Sequence, residues 1–568
     1  MKTRGILWIS AAVLIFALFS VWIRLPLVSS NIWMSPDETA NIITAINFSE
    51  HGSFGYSSEI TQKFIWAHPR SFVFVPETGL VAPIGFLGMP LVLSFIYKLF
   101  GLLGLNFFAP LLALTTLYPL WRVMPKTWPK PVKFMSIIIW MSLPTVILYT
   151  NRGTFPQLTQ LCLMVWAWFL LTRTSRPKLD ATLAQNSEQG TPNEFSTKTK
   201  INYRELFNKF SSPIAGILSA LALIIRPVEA IWIIPVIIFA FIQRTKLGVR
   251  SSEFRVRPLL VFIIPFILIL LVSAKLGADT YGKWFVSGYQ IRPITTNYEQ
   301  RITNNDLDQN KEDDVGVQVA HSDSVSFFDT LPFSFHPRHI WWNIKNYYFW
   351  LLLPWTVLAL GSILILTKEK VWQSENKWAL AAVIWPVIAT TLFYGNGIYQ
   401  DHVRLNEVSL GNSFLRYTLP VSIAVALSAG YVFSKLWRPW STKIFAVCLT
   451  AGLAVYGMWI AVAGYDESLI YIEQELYSYR QVRAAAQKDF PGHGIILSDR
   501  SDKIFFPVVS AVSPMPSHEQ INILQKESPD LRLYLPTQDS QGIEDWEKQG
   551  FILRPVFTTG NQTLYDVY

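Results

Sequence analysis

Cysteine is almost absent. Cys162 and Cys448 are the only two in 568 residues, and each lies inside an apolar run. That excludes a disulfide framework and a cysteine-based zinc site. Charge is scarce too. Only 15% of residues are Asp, Glu, Lys or Arg, against roughly 25% in an average soluble domain. No internal repeat is present, and repeats are a common mark of transporters.

Apolar residues fill the gap. They make up 51% of the chain, and mean hydropathy is +0.30. Long apolar runs recur as far as residue 464. The net charge of +9 would suit a nucleic-acid partner. The Lys and Arg residues, however, sit in short loops between apolar runs, where they set membrane orientation. No nucleic-acid partner is expected.

The first run, 5–27, follows Lys2 and Arg4. It exceeds a signal-peptide core of roughly 7–15 residues, and no small-x-small cleavage site follows. It reads as an uncleaved first span. About 20 apolar residues cross a bilayer. The runs that qualify or nearly do are 5–27, 103–121, 134–150, 156–172, 212–226, 228–243, 258–276, 346–367, 378–394, 416–434 and 444–464. The run 80–100 is broken by Pro83, Gly85, Gly88 and Pro90. Reading it as interfacial or re-entrant puts every basic loop on one side, including the loop with Arg122, Lys126, Lys130 and Lys133. The expectation is a mainly α, polytopic helical membrane protein. It has about 11 spans plus interfacial helices, a cytoplasmic N-terminus and an extracytoplasmic C-terminus. A cell (plasma or inner) membrane is the expected location.

The transmembrane domain is expected over 1–465 and an extracytoplasmic α/β tail over 466–568. The tail shows a helical stretch at 473–488 and a short strand at 494–498. The outer face carries a long first loop, 28–102, and a large loop, 277–345. The inner loop 173–210 contains ATLAQNSEQGTPNEFSTKTK, which reads as disordered.

The first outer loop opens Ser35-Pro36-Asp37-Glu38. One reading is a helix start, with Ser35 as N-cap, Pro36 at N1 and Glu38 completing a capping box. Gly52 would end that helix. This explains Glu38 but leaves Asp37 only a helix-dipole role. Position gives the other reading, because the acids follow the first span at the membrane surface.

This layout resembles the GT-C superfamily of glycosyltransferases, and within it the protein O-mannosyltransferase and aminoarabinose transferase branch. His68-Pro69-Arg70 and the segment Ala82-Pro83-Ile84-Gly85 resemble that family's His-Pro and Pro-rich segment. Arg416-Tyr417-Thr418-Leu419-Pro420 resembles its entry to a late span. The resemblance covers the layout of roughly residues 5–435, through short matches. It implies a GT-C fold, a polyprenyl-phosphate-linked sugar donor, membrane lipid around it, and a glycan, lipid or protein acceptor. It implies Asp37 as base, with Glu38 second. One departure concerns the outer turn Tyr149–Pro156, where many relatives carry a second acid and this chain has none. No cofactor and no tightly held metal are expected. Glu229 or Asp401 could compensate for that missing acid.

Loss of a lipid phosphate needs cations, and Arg offers a planar fork of donors. Arg70, Arg152, Arg226 and Arg416 are the outer candidates. Arg226 ends an apolar run, and its alternatives are snorkelling to the interface or pairing with Glu229. Arg416, beside Tyr417, could equally anchor lipid headgroups. His68 could bind phosphate or sugar, or be structural. Asp401 and His402 could cover the donor, or lie in a solvated loop. The outer aromatics Tyr281, Trp284, Tyr289 and those of 341–350 read mostly as interface anchors. The expected function is inverting sugar transfer at the outer face. The alternatives are a transporter or flippase, or a lipid-linked glycan polymerase or ligase.

Overall fold

The computed structural model describes residues 32–172, 203–246, 253–291, 335–370, 377–399, 408–464 and most of 467–567. The first expected span, most of 173–210, most of 277–345, and Asp401 with His402 lie outside the described residues.

Among the described residues, five helices are long and apolar enough to cross a membrane, or seven if each bent pair is one span. Three shorter apolar helices, Pro156–Thr172, Phe210–Ile225 and Val421–Leu436, join them. These segments coincide with the ten later apolar runs of the sequence. The chain is a polytopic helical membrane protein. Its outward faces carry Ile264, Leu268, Leu364 and Val455, each more than half exposed. Apolar surface of that extent suits lipid rather than water.

Two of the helices are bent, the first with a local cause. Pro144 cannot donate to the preceding turn, and Lys130–Ser142 meets Pro144–Asn151 at 59°. Pro337–Leu351 meets Leu353–Lys368 at 102°, with Trp341 and Trp350 exposed on the first arm. That arm has the form expected of an interfacial helix at 341–350.

The 80–100 run is not one interfacial segment. Its start is strand β2 (Leu80–Pro83), paired antiparallel with β1 (Phe72–Val75). Its remainder opens the helix Gly88–Val123, which continues through a break at Gly101 (φ 61°, ψ −156°) into the second expected span. Only glycine takes that backbone freely.

The C-terminal unit is a five-stranded mixed sheet in the order β4-β3-β5-β7-β6. Its strands are β3 (Ile495–Leu497), β4 (Ser510–Val512), β5 (Leu531–Pro536), β6 (Leu553–Thr559) and β7 (Gln562–Val567). The helix Leu469–Asp489 leads into it from the last membrane helix. Its core holds Ile495, Leu497, Val512, Ile521 and Leu524, and also Ala67 of the first loop. Ile60, Phe64 and Trp66 pack against the same core. A second core joins Ile496, Ile504 and Phe505 to Ile32, Ala40 and Phe72. The first loop and the C-terminal sheet therefore bury each other's apolar faces.

Gly88 sets the entry of its helix. A Cβ there would lie 2.3 Å from the carbonyl carbon of Ile224, a backbone atom that cannot rotate away. We expect Gly88→Ala to cost about 1–3 kcal/mol through forced backbone shifts. Gly361→Ala, where nothing lies within 4 Å, should cost nothing. Thermal melting of both variants in detergent checks this, and equal melting temperatures would contradict it.

Candidate active site

Ser35 starts the helix Pro36–His51 as its N-cap, accepting from the Asp37 amide at 3.3 Å. Gly52 ends it in the left-handed region at φ 74°. Both ends follow the sequence. Glu38 does not complete a capping box. It is 4% exposed and accepts from Arg152 Nη2 at 2.9 Å and from Thr154 Oγ1 at 3.3 Å. Asn41 adds a bond to the Thr154 carbonyl at 3.1 Å. Successive helical residues point about 100° apart. With Glu38 turned inward, Asp37 faces out. It is exposed, and Ser71 Oγ donates to its Oδ1 at 3.0 Å. Among the described residues its Oδ2 accepts no hydrogen bond.

Three arginines gather on an aromatic floor. Arg152 and Arg416 both lie against the Phe155 ring, at 4.7 and 4.5 Å from its centroid. Arg416 Nη2 donates to Ser413 Oγ at 2.7 Å and to the Tyr417 hydroxyl at 3.1 Å. Arg226 is extended, because the Pro227 that follows disfavours helical backbone there. Its guanidinium stacks 3.9 Å over Tyr417 and 5.4 Å from the Tyr394 centroid. Nε lies 3.4 Å from Glu229 Oε1, so Arg226 pairs with Glu229 rather than snorkelling. Glu229 is itself held by the Tyr394 hydroxyl at 2.7 Å and by the Trp232 indole.

Tyr289 links the two halves. It lies in the electrostatic field of Asp37, Tyr417, Arg226 and Arg416 at once, yet keeps 57% of its surface accessible. Asp37, Arg226 and Arg416, from three separate segments, thus come within electrostatic reach of one side chain, Tyr289. Tyr289 had only an aromatic's generic interfacial reading in the sequence. Tyr394 and Trp232 carried no signal at all.

His68 and Arg70 are tied through their backbones to the C-terminal unit. The His68 ring contacts the Pro69 carbonyl at 3.0 Å, and the His68 carbonyl accepts from the Ser513 amide at 3.1 Å. The Arg70 amide donates to Asp502 Oδ2 at 2.9 Å. Asp502 and Lys503, from the C-terminal unit, reach the site's edge unannounced by any motif. Among the described residues no three His, Cys, Asp or Glu come together. An exposed Asp37 beside an ion-paired Glu38 does not by itself make a metal donor set.

Burial pulls the Lys503 ammonium down to about 8. The Arg152 charge adds to this, Asp502 opposes it, Arg70 lowers it further and Glu38 raises it. Below about pH 8 both folded and unfolded chains hold this proton. Between that value and roughly 10.4, the ordinary lysine value, only the unfolded chain does. Stability from this group therefore rises with pH across that window. Raising the pH from about 7.5 to about 9.5 should stabilise the wild type relative to Lys503→Met; parallel melting curves would show an ordinary lysine.

The Glu38–Arg152 pair makes a second prediction. Glu38→Ala leaves a buried guanidinium and should cost about 3–5 kcal/mol, while Glu38→Gln with Arg152→Met should cost less. Denaturation of both variants checks this. A single-variant loss under about 1 kcal/mol, the level of an exposed pair, would contradict it.

No family model and no curated protein sequence matches the chain. Its fold does match solved structures. ArnT from Cupriavidus metallidurans bound to undecaprenyl phosphate aligns over 98% of each chain, with TM-score 0.52 and 9% identity. The apo state of ArnT from Cupriavidus metallidurans aligns over the same shares, with TM-score 0.50 and 8% identity. The apo Archaeoglobus fulgidus oligosaccharyltransferase gives TM-score 0.46 and 12% identity, over 94% of this chain and 70% of that one. At such identities the ArnT likeness is one of fold, and the chain has that fold over nearly its whole length, as the GT-C resemblance of its sequence implied.

Proposed function

We propose that the chain is a membrane glycosyltransferase that moves a sugar from a polyprenyl-phosphate donor to an acceptor. One observation carries the reading. An exposed carboxylate, Asp37, and two guanidiniums, Arg226 and Arg416, come within electrostatic reach of one residue, Tyr289. The ArnT structure with undecaprenyl phosphate supports a lipid phosphate as the charge these arginines meet.

Asp37 takes the proton of the acceptor nucleophile as it attacks the anomeric carbon. The bond from that carbon to the phosphate oxygen breaks, and the lipid phosphate leaves with the electron pair. Arg226 and Arg416 take up its charge through their planar forks. With a single carboxylate available as base, the displacement inverts the anomeric centre. Glu38 is tied to Arg152 and holds the frame rather than the proton. An apolar cleft lined by Leu161, Trp168, Trp232, Val236, Pro386 and Ile423 suits the prenyl chain. Trp232 belongs to the cleft and also bonds Glu229, the partner of Arg226. The cleft thus leads to the charged end. Arg122, Lys126 and Lys133 gather near one another at the other end of the Gly88–Val123 helix, which supports placing the site on the outer face.

The test uses purified protein in lipid nanodiscs with labelled undecaprenyl-phosphate sugars. Asp37→Asn should lower kcat by about 10²–10⁴-fold. Undecaprenyl phosphate alone should still raise its melting temperature as in the wild type, and should raise that of Arg226→Gln less. Full turnover by Asp37→Asn would end the assignment of the base.

A further inference from the structure

We infer that the C-terminal unit positions the Asp37 carboxylate, with Asp502 and Lys503 clamping the two first-loop segments that meet in the Asp37–Ser71 hydrogen bond. Two adjacent residues do this from one short helix, Asp502–Phe505. Asp502 Oδ2 accepts from the Arg70 amide at 2.9 Å, one residue before Ser71. Lys503 Nζ donates to the Met34 carbonyl, one residue before the N-cap Ser35. Ser71 Oγ then donates to Asp37 Oδ1 at 3.0 Å. Both sides of that bond are thus anchored to one rigid element outside the first loop.

The element is itself fixed. Arg483, on the helix Leu469–Asp489, donates to the carbonyls of Ile504 and Lys503. Lys503 lies 5.3 Å from the Tyr479 ring centroid of the same helix. Phe506 packs edge-on against Phe72 at 5.2 Å, and the Ser513 amide holds the His68 carbonyl at 3.1 Å. Every residue from 68 to 72 except Pro69 and Ser71 is therefore held by the C-terminal unit. Asp37 and Ser71 are left free to meet each other. One carboxylate oxygen is fixed by Ser71, and the side chain stays exposed.

A general base needs this control, since misplacement by about 1 Å can cost 10²-fold in rate. A surface helix start with an exposed side chain does not supply it alone. The inference rests on the proposed function only for its turnover arm. As positioning residues, Asp502 and Lys503 are expected to affect kcat rather than donor KM.

The experiment compares full-length wild type, Asp502→Ala, Asp502→Asn, Lys503→Met and Leu524→Ala in nanodiscs. Leu524 lies in the core that the C-terminal sheet shares with Ala67, touches neither clamp hydrogen bond, and controls for loss of that packing. Hydrogen exchange of peptides covering 33–40 and 69–73 should quicken by roughly tenfold in Asp502→Ala and Lys503→Met, the loss of a hydrogen bond to a charged group. Asp502→Asn, whose amide oxygen still accepts from Arg70, should keep wild-type exchange. With an undecaprenyl-phosphate sugar, Asp502→Ala should lose roughly tenfold or more in kcat with KM within about twofold. Leu524→Ala should keep kcat. Unchanged exchange in both clamp variants overturns the inference, as does an equal kcat loss in Leu524→Ala. If the wild type turns over no donor, the glycosyltransferase reading fails and the exchange result alone decides the clamp.

Discussion

Two adjacent acids at the start of one helix point about 100° apart, and the buried pair between Glu38 and Arg152 decides which of them points where. A carboxylate and a guanidinium taken out of water must satisfy each other closely or destabilise the fold. They meet at 2.9 Å, with side chains 5% and 9% exposed. The pair locks the first-loop helix to the turn that follows Pro144–Asn151. It also leaves Asp37 as the exposed acid of the two. Without Arg152, the local sequence would favour turning Glu38 back onto the helix start as a cap.

The same rule governs the rest of the site. Arg152, Arg226 and Arg416 crowd one end of an apolar bundle, where like charges repel and desolvation is costly. Each is matched differently: Arg152 by Glu38, Arg226 by Glu229 and two tyrosine rings, Arg416 by Ser413, Tyr417 and Phe155. Aromatic faces attract cations without removing their net charge. Arg226 and Arg416 are thus held in place by neighbours that include aromatic faces.

Much of this was legible in the sequence because it is local. Apolar length placed ten helical segments, Ser35 and Gly52 bracketed the first-loop helix, and composition marked the α/β tail. The sequence put Asp37, Arg226 and Arg416 on one side through a single choice about 80–100, a run of which more than half is the start of a membrane helix. What escaped is long-range. Glu38 and Arg152 are 114 residues apart, and Arg70 and Asp502 are 432 apart. Neither carries a spacing that periodicity or capping rules can register. Asp502-Lys503 is an unremarkable dipeptide until the sheet brings it to the first loop.

The shared core of Ile60, Phe64, Trp66 and Ala67 with the C-terminal sheet has a consequence for how the chain is made. A ribosome adding about 5–20 residues per second needs roughly 20–90 s to travel from Ala67 to Ile495. Through that interval the early loop is synthesised while its packing partner does not yet exist. Its aromatic segment waits as exposed apolar surface, the state in which chains aggregate or recruit chaperones. The loop that carries Asp37 therefore reaches its final shape only after the sheet is made, although it is translated more than 400 residues earlier.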